Sequence, residues 1–253
     1  MRTAFKLSAS DKAALLLTSV ALAGVLVETA AFWRRVERAR RFGATGRCFE
    51  RRLSARRATV LVLGDSTGVG VGATRPEESI AGLLAADYPQ AHIVNVAVSG
   101  TCAAGAIDQV RSCLESGLHF DLALLHVGAN DIVADTPLHQ LSEDCDTLLG
   151  LLRTVSDRTV WLGPPNLGLA PLFPWPYAWL MGSRSRAASQ VFSAAAARHR
   201  VVFIDFSAPA HVAYLSRRRH KHFAIDGFHP NSATYQYGYA TARKMLGLRS
   251  ERV

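Results

Sequence analysis

The 253-residue chain reads as an α/β protein: a three-layer α/β/α sandwich on a five-stranded parallel sheet, preceded by an N-terminal hydrophobic helix. Three observations predict this. Short runs of Val, Leu and Ile without alternation recur between helical patterns, as in strands covered on both faces. The polar motifs fall where those runs end or in the last loop, and sites in such sheets lie outside the strand ends. Residues 13–33 form one long apolar stretch broken only by Glu28.

The elements follow in order. ATVLVLG (58–64) is the first strand and ESIAGLLAADYP (78–89) a helix stopped by Pro89. HIVNVAV (92–98) is the second strand, followed by a helix over 104–116 that ends near Gly117. DLALLHVG (121–128) is the third strand and 137–155 the next helix. RTVWLG (158–163) is the fourth strand, 183–200 a helix, VVFIDF (201–206) the fifth strand and 232–247 the closing helix. Residues 163–182 hold five prolines, two tryptophans, Phe173, Tyr177 and Met181, and proline keeps the segment from being helical throughout.

Charge separates the N-terminus from the rest. Residues 1–57 carry 13 Lys/Arg against 4 Asp/Glu, and the remainder carries 16 of each. The main domain is therefore neutral and a poor nucleic-acid surface. The expected division is an anchor or signal-like helix with an Arg-rich linker over 1–57 and a catalytic domain over 58–253. The apolar stretch has the length of a bilayer span, and Trp33 sits where an interfacial aromatic belongs. Ten arginines over 34–57 outweigh the upstream Arg2, Lys6 and Lys12, which places the domain on the cytoplasmic side. The alternative is a signal peptide cleaved near Thr29-Ala30-Ala31 and an exported domain. The four cysteines show no zinc spacing; they are read as free thiols, with a Cys102–Cys113 disulfide as the exported alternative.

Four motifs carry candidate chemistry. GDSTGVGVG (64–72) follows the first strand and presents Ser66 in a glycine-rich turn. VSG (98–100) ends in Gly100, whose N–H is free to face an oxyanion. VGAND (127–131) offers the side-chain amide of Asn130 to the same anion. DGFHP (226–230) sets Asp226 three residues before His229, a spacing that lets a carboxylate orient an imidazole base. The other eight histidines lack such a pattern.

In order and spacing these motifs resemble the SGNH, or GDSL, hydrolase superfamily. Gly64-Asp65-Ser66, Gly100, Gly128-Ala129-Asn130-Asp131 and Asp226-Gly227-Phe228-His229 match its blocks, and the resemblance spans residues 58–247. It implies a flavodoxin-like sandwich with Ser66 as nucleophile, His229 as base and Asp226 as its orienter. The N–H groups of Ser66 and Gly100 and the Asn130 amide would form the oxyanion hole, with no metal or organic cofactor. The implied reaction is hydrolysis of carboxylic esters, lipid-like or small. Acyl transfer and carbohydrate deacetylation are the alternatives within the superfamily, and a non-catalytic binding domain lies further off.

Rival readings of the serine turn fit less well. The turn has no lysine and lacks the ending of a nucleoside triphosphate loop. A flavin site would not require Asn130 or the Asp226/His229 pair. Gly64-x-Ser66-x-Gly68 also matches the α/β-hydrolase elbow, but that serine usually follows several strands and its acid and base sit on separate loops. The apolar 163–182 loop and the basic RRRHKH run (217–222) tilt the substrate toward lipid-like esters such as lysophospholipids.

Overall fold

The structure, a computed structural model, describes residues 8–246. Arg2 and Lys6 of the upstream flank, and Gly247 at the end of the expected last helix, lie outside these residues. Five strands, β1 (Ala58–Gly64), β2 (Ala91–Asn95), β3 (Leu122–His126), β4 (Thr159–Leu162) and β5 (Val202–Ile204), form one parallel sheet in the order β2-β1-β3-β4-β5. This is the flavodoxin-like order, and its switch point lies between β1 and β3.

The sheet register explains why the strands read as unbroken apolar runs. Leu61 and Leu63 pair with Ala123 and Leu125, and these residues face one side with Trp161. There they pack on α4 (Ala103–Glu115), α6 (Leu138–Val155) and α7 (Tyr177–His199). Val60, Val62, Leu124, Val160 and Ile204 face the other side against α3 (Ile80–Asp87) and α9 (Ser232–Met245). Alternate residues thus enter two different cores, so both must be apolar. The Trp161 indole N–H is satisfied by the Val127 carbonyl at 3.1 Å. All four cysteines are free, so Cys102 and Cys113 are not bridged.

Two segments differ from their sequence reading. Helix α7 begins at Tyr177, not 183, because all five prolines precede it and Pro176 is its N-cap. Arg219, in the middle of the basic run, donates to the carbonyls of Leu169 and Ala170, so its guanidinium is committed to the fold. Short helices α2 (Ser66–Val69), α5 (Ala129–Ala134) and α8 (Pro209–Ser216) fill connections that carried no helical pattern.

Helix α1 (Ala9–Gly43) is a single 35-residue element. Its apolar residues Leu15, Leu16, Leu17, Val20, Leu22, Val25, Leu26 and Val27 are exposed. By length and composition it is long and apolar enough to cross a membrane, a test that a signal sequence also passes. The helix continues through the expected linker and docks on the sandwich: Ala39 is buried in the main core, with Phe32 and Val36 packed against it. Further on, Arg51 bridges to Ile93 and donates to three carbonyls of the 85–91 segment. The packing therefore continues across residue 57, where the sequence suggested a boundary.

Candidate active site

The serine is placed by the end of β1. Gly64 has φ +117°, and a Cβ there would lie 1.8 Å from the His126 carbonyl oxygen, so this close turn requires glycine. The turn starts α2 at Ser66. Asp65 is its N-cap, accepting a hydrogen bond from the Thr67 N–H at 2.8 Å. Burial pushes the Asp65 carboxyl up to about 7, against the hydrogen bonding from Thr67. Because the cap uses Thr67, the Ser66 N–H has no acceptor among the described residues. Ser66 itself is 8% exposed.

The loops after β2 and β3 meet opposite the serine. Gly100 stands at φ +90° in open space, and its N–H likewise has no acceptor among the described residues. Asn130, in the first turn of α5, donates one amide hydrogen to the Thr101 carbonyl at 2.9 Å, which leaves the second for a ligand. Asp131 is buried and accepts from the Ala103 N–H at the start of α4, 3.1–3.2 Å away. Burial raises its carboxyl to about 6. Gln109 of α4 brackets the Gly64 peptide: Oε1 accepts from its N–H at 2.7 Å, while Nε2 donates to its carbonyl at 3.0 Å and to Thr101 Oγ1 at 3.2 Å. These three side chains hold the loops after β1, β2 and β3 in one arrangement.

The third component comes from the last loop. His229 Nδ1–H donates to Asp226 Oδ2 at 2.5 Å, and Asp226 Oδ1 accepts the N–H groups of Phe228 and His229, each at 3.1 Å. Burial alone would raise the Asp226 carboxyl; the His229 bond and charge, with the two backbone donors, outweigh it and hold it below the usual carboxylate range. The Nδ1 bond fixes the ring, so that Nε2 is the free nitrogen. No hydrogen bond joins Ser66 Oγ to His229 among the described residues, and both line the same cavity.

That cavity measures about 870 Å³ and also reaches Gly100 and Asn130. Its walls are largely apolar and come from the 163–182 segment, from α7 and from α1. Among the described residues, no group of three His, Cys, Asp or Glu is placed to hold a metal ion. The structure thus gathers Ser66, Gly100, Asn130 and His229 around one space, with Asp226 bonded to His229 behind it. Asp65, Asp131 and Gln109 were not singled out from the sequence. Asp65 and Asp131 sat unassigned inside matched motifs, and Gln109 lies on an ordinary amphipathic helix with no signal of its own.

Residues 62–237 match the GDSL-like lipase/acylhydrolase family profile. No curated protein matches the chain in sequence. Among solved structures, TesA is 22% identical with a TM-score of 0.56, covering 74% of this chain and 97% of its own. LAE5, an α/β hydrolase from the metagenome of Lake Arreo, is 19% identical with a TM-score of 0.61 over 78% and 98% of the two chains. A catalytic mutant of Axe2, an acetylxylan esterase from Geobacillus stearothermophilus, is 18% identical with a TM-score of 0.55 over 79% and 98%. At these identities the likeness establishes a shared fold.

Proposed function

Since the chain belongs to the GDSL-like lipase/acylhydrolase family, a family of ester hydrolases, we propose that it cleaves carboxylic esters, lipid-like ones included, through an acyl-enzyme on Ser66. Ser66 Oγ attacks the ester carbonyl while His229 Nε2 takes its proton. Asp226 keeps the imidazole in the required tautomer and stabilises the imidazolium. The developing oxyanion accepts from the Ser66 and Gly100 N–H groups and from the remaining Asn130 hydrogen. His229 returns the proton to the departing alkoxide, and the C–O bond breaks. A water, deprotonated by His229, then attacks the acyl-serine; the acid leaves and Ser66 regains its proton. Helix α1 anchors the enzyme in a membrane. The exposed arginines that follow its apolar stretch, Arg34, Arg35, Arg38, Arg40 and Arg41, support a cytoplasmic catalytic domain.

One observation carries this reading: a serine at a strand end shares a cavity with the His229 of a buried Asp–His pair and with Gly100, and the Ser66 and Gly100 N–H groups have no acceptor among the described residues. The test is turnover of an ester panel, with labelling by a fluorophosphonate. Ser66→Ala is expected to lower kcat by several orders of magnitude and abolish labelling, and Asn130→Ala to lower kcat roughly 10²–10³-fold. An undiminished rate in folded Ser66→Ala would remove the serine from the mechanism.

A further inference from the structure

The cavity at Ser66 is not closed by the sandwich alone. From α1 it is lined by Phe32, Val36 and Ala39, and from the opposite side by Phe173, Leu180 and Met181. The α1 residues recur at a spacing of four and then three, so one face of the helix is turned into the cavity. That face ends on the reaction centre: a Cβ at Gly43 would lie 3.4 Å from Cε1 and 3.5 Å from Nε2 of His229. Ser99, beside Gly100, fixes the same end by donating to the Gly43 carbonyl at 2.7 Å. The far end is fixed by the Phe32 ring, stacked on Tyr177 at 4.7 Å with planes 8° apart. Between these two attachments the helix runs about 16 Å, at about 1.5 Å per residue.

We propose that α1 is a wall of the substrate site, and that the channel between α1 and α7 receives the acyl chain of a long-chain ester. The proposal rests on Ser66 being the nucleophile. Three features argue for a long chain. The channel reaches the serine, its walls are largely apolar, with Arg40 of α1 and Arg184 of α7 the charged residues on them, and about 870 Å³ is far more than an acetyl group fills. The taper agrees. Gly43 and Ala39 line the end at His229, and Val36 and Phe32 the end nearest the exposed apolar stretch of α1. Each methylene that enters such a channel is expected to raise kcat/KM by about fourfold. The long acyl chain has two sources, a lipid in the bilayer or a dissolved ester.

The test uses the full chain in detergent micelles and reads the ratio of kcat/KM for p-nitrophenyl decanoate over p-nitrophenyl acetate. The wild-type ratio is expected above ten, and Val36→Trp, which fills the channel from the α1 side, should lower it at least tenfold. Labelling of Ser66 by a small fluorophosphonate reports that the variant is folded. Should Val36→Trp fail to label, Val36→Phe and Leu180→Phe narrow the channel less, from either side, and the same ratio is read. A labelled variant with no loss in micelles and none in the vesicle comparison below overturns the proposal, as does a wild type that prefers acetate. A wild type that neither labels nor hydrolyses any ester would instead sink the esterase reading. Repeating the comparison with monodecanoylglycerol in phosphatidylcholine vesicles separates the sources: a loss in both settings assigns the channel to bilayer and dissolved esters alike, and a loss confined to one setting assigns it to that source.

Discussion

His126, at the end of β3, is a buried group whose ring makes no hydrogen bond among the described residues: it is 1% exposed and neither nitrogen has a partner there. Burial lowers its pKa from 6.5 to about 4. Between those values the unfolded chain binds a proton that the folded chain refuses, so this group costs stability as the pH falls from about 6.5 to 4. His126→Leu removes that term. The stability of the variant relative to wild type, from urea unfolding, should improve by about 3 kcal/mol between pH 7 and pH 4. A difference that stays constant with pH would show that the ring is solvated in the folded state. Asp65 and Asp131 act in the opposite sense: raised to about 7 and about 6, they favour the folded state at low pH and lose that contribution as the pH rises through those values. At this scale the sequence was legible where chemistry and position coincide. Ser66, Asn130, Asp226 and His229 stand at strand ends or in the last loop, in types and spacings that few other tasks require. The supporting groups were not legible, because Asp131 reaches Ala103 and Gln109 reaches Gly64 only after folding. The same holds for His119 and His199, which lack a local partner in sequence yet pair with Asp157 and Asp146.

Among the elements, the strands were the most readable. Burial on both faces requires continuous apolar runs, and the first strand coincides with Ala58–Gly64. The short helices α2 and α5 were not readable, because each is a single turn or so at a strand end, too short to show an apolar face; α2 is capped by Asp65 and α5 starts after Gly128 without a side-chain cap. Helix α7 was read too short because its first turns lie in a proline-rich segment. The approach of α7 to the end of β3 is controlled at Gly128. With φ +122°, a Cβ there would come within 2.7–2.8 Å of the Phe192 ring. Gly128→Ala combines backbone strain with overpacking and should cost about 2–4 kcal/mol, seen as a lower Tm in thermal unfolding. A Tm within a degree of wild type would mean that α7 can retreat from the sheet freely.

For the whole molecule, the sandwich and its family were legible, but the relation of α1 to it was not. A run of arginines reads as a solvated linker. Only the fold reveals that the face carrying Phe32, Val36, Ala39 and Gly43 is turned inward, with Arg40 at the edge of the same cavity and Arg34, Arg35, Arg38 and Arg41 exposed. The upstream half, with Leu22 and Val25 about 60% exposed, makes a separate prediction. In a producing cell the full chain should stay with the membrane pellet after alkaline extraction, and the double variant Leu22→Arg, Val25→Arg should move to the supernatant, since each arginine costs about 2.5–3.5 kcal/mol at mid-span. Wild type in the supernatant would end the anchor reading. On the proposal that α1 spans a bilayer, its unbroken run from Leu15 to Gly43 joins the membrane half and the docked half in one continuous mast. The altitude of Ser66 above the lipid surface is then set by how deeply the mast is stepped. A thicker or thinner bilayer must tilt the mast or deform around it. Membrane thickness thereby becomes a dial on how near the reactive serine stands to its surroundings, with no hinge between them to absorb the change.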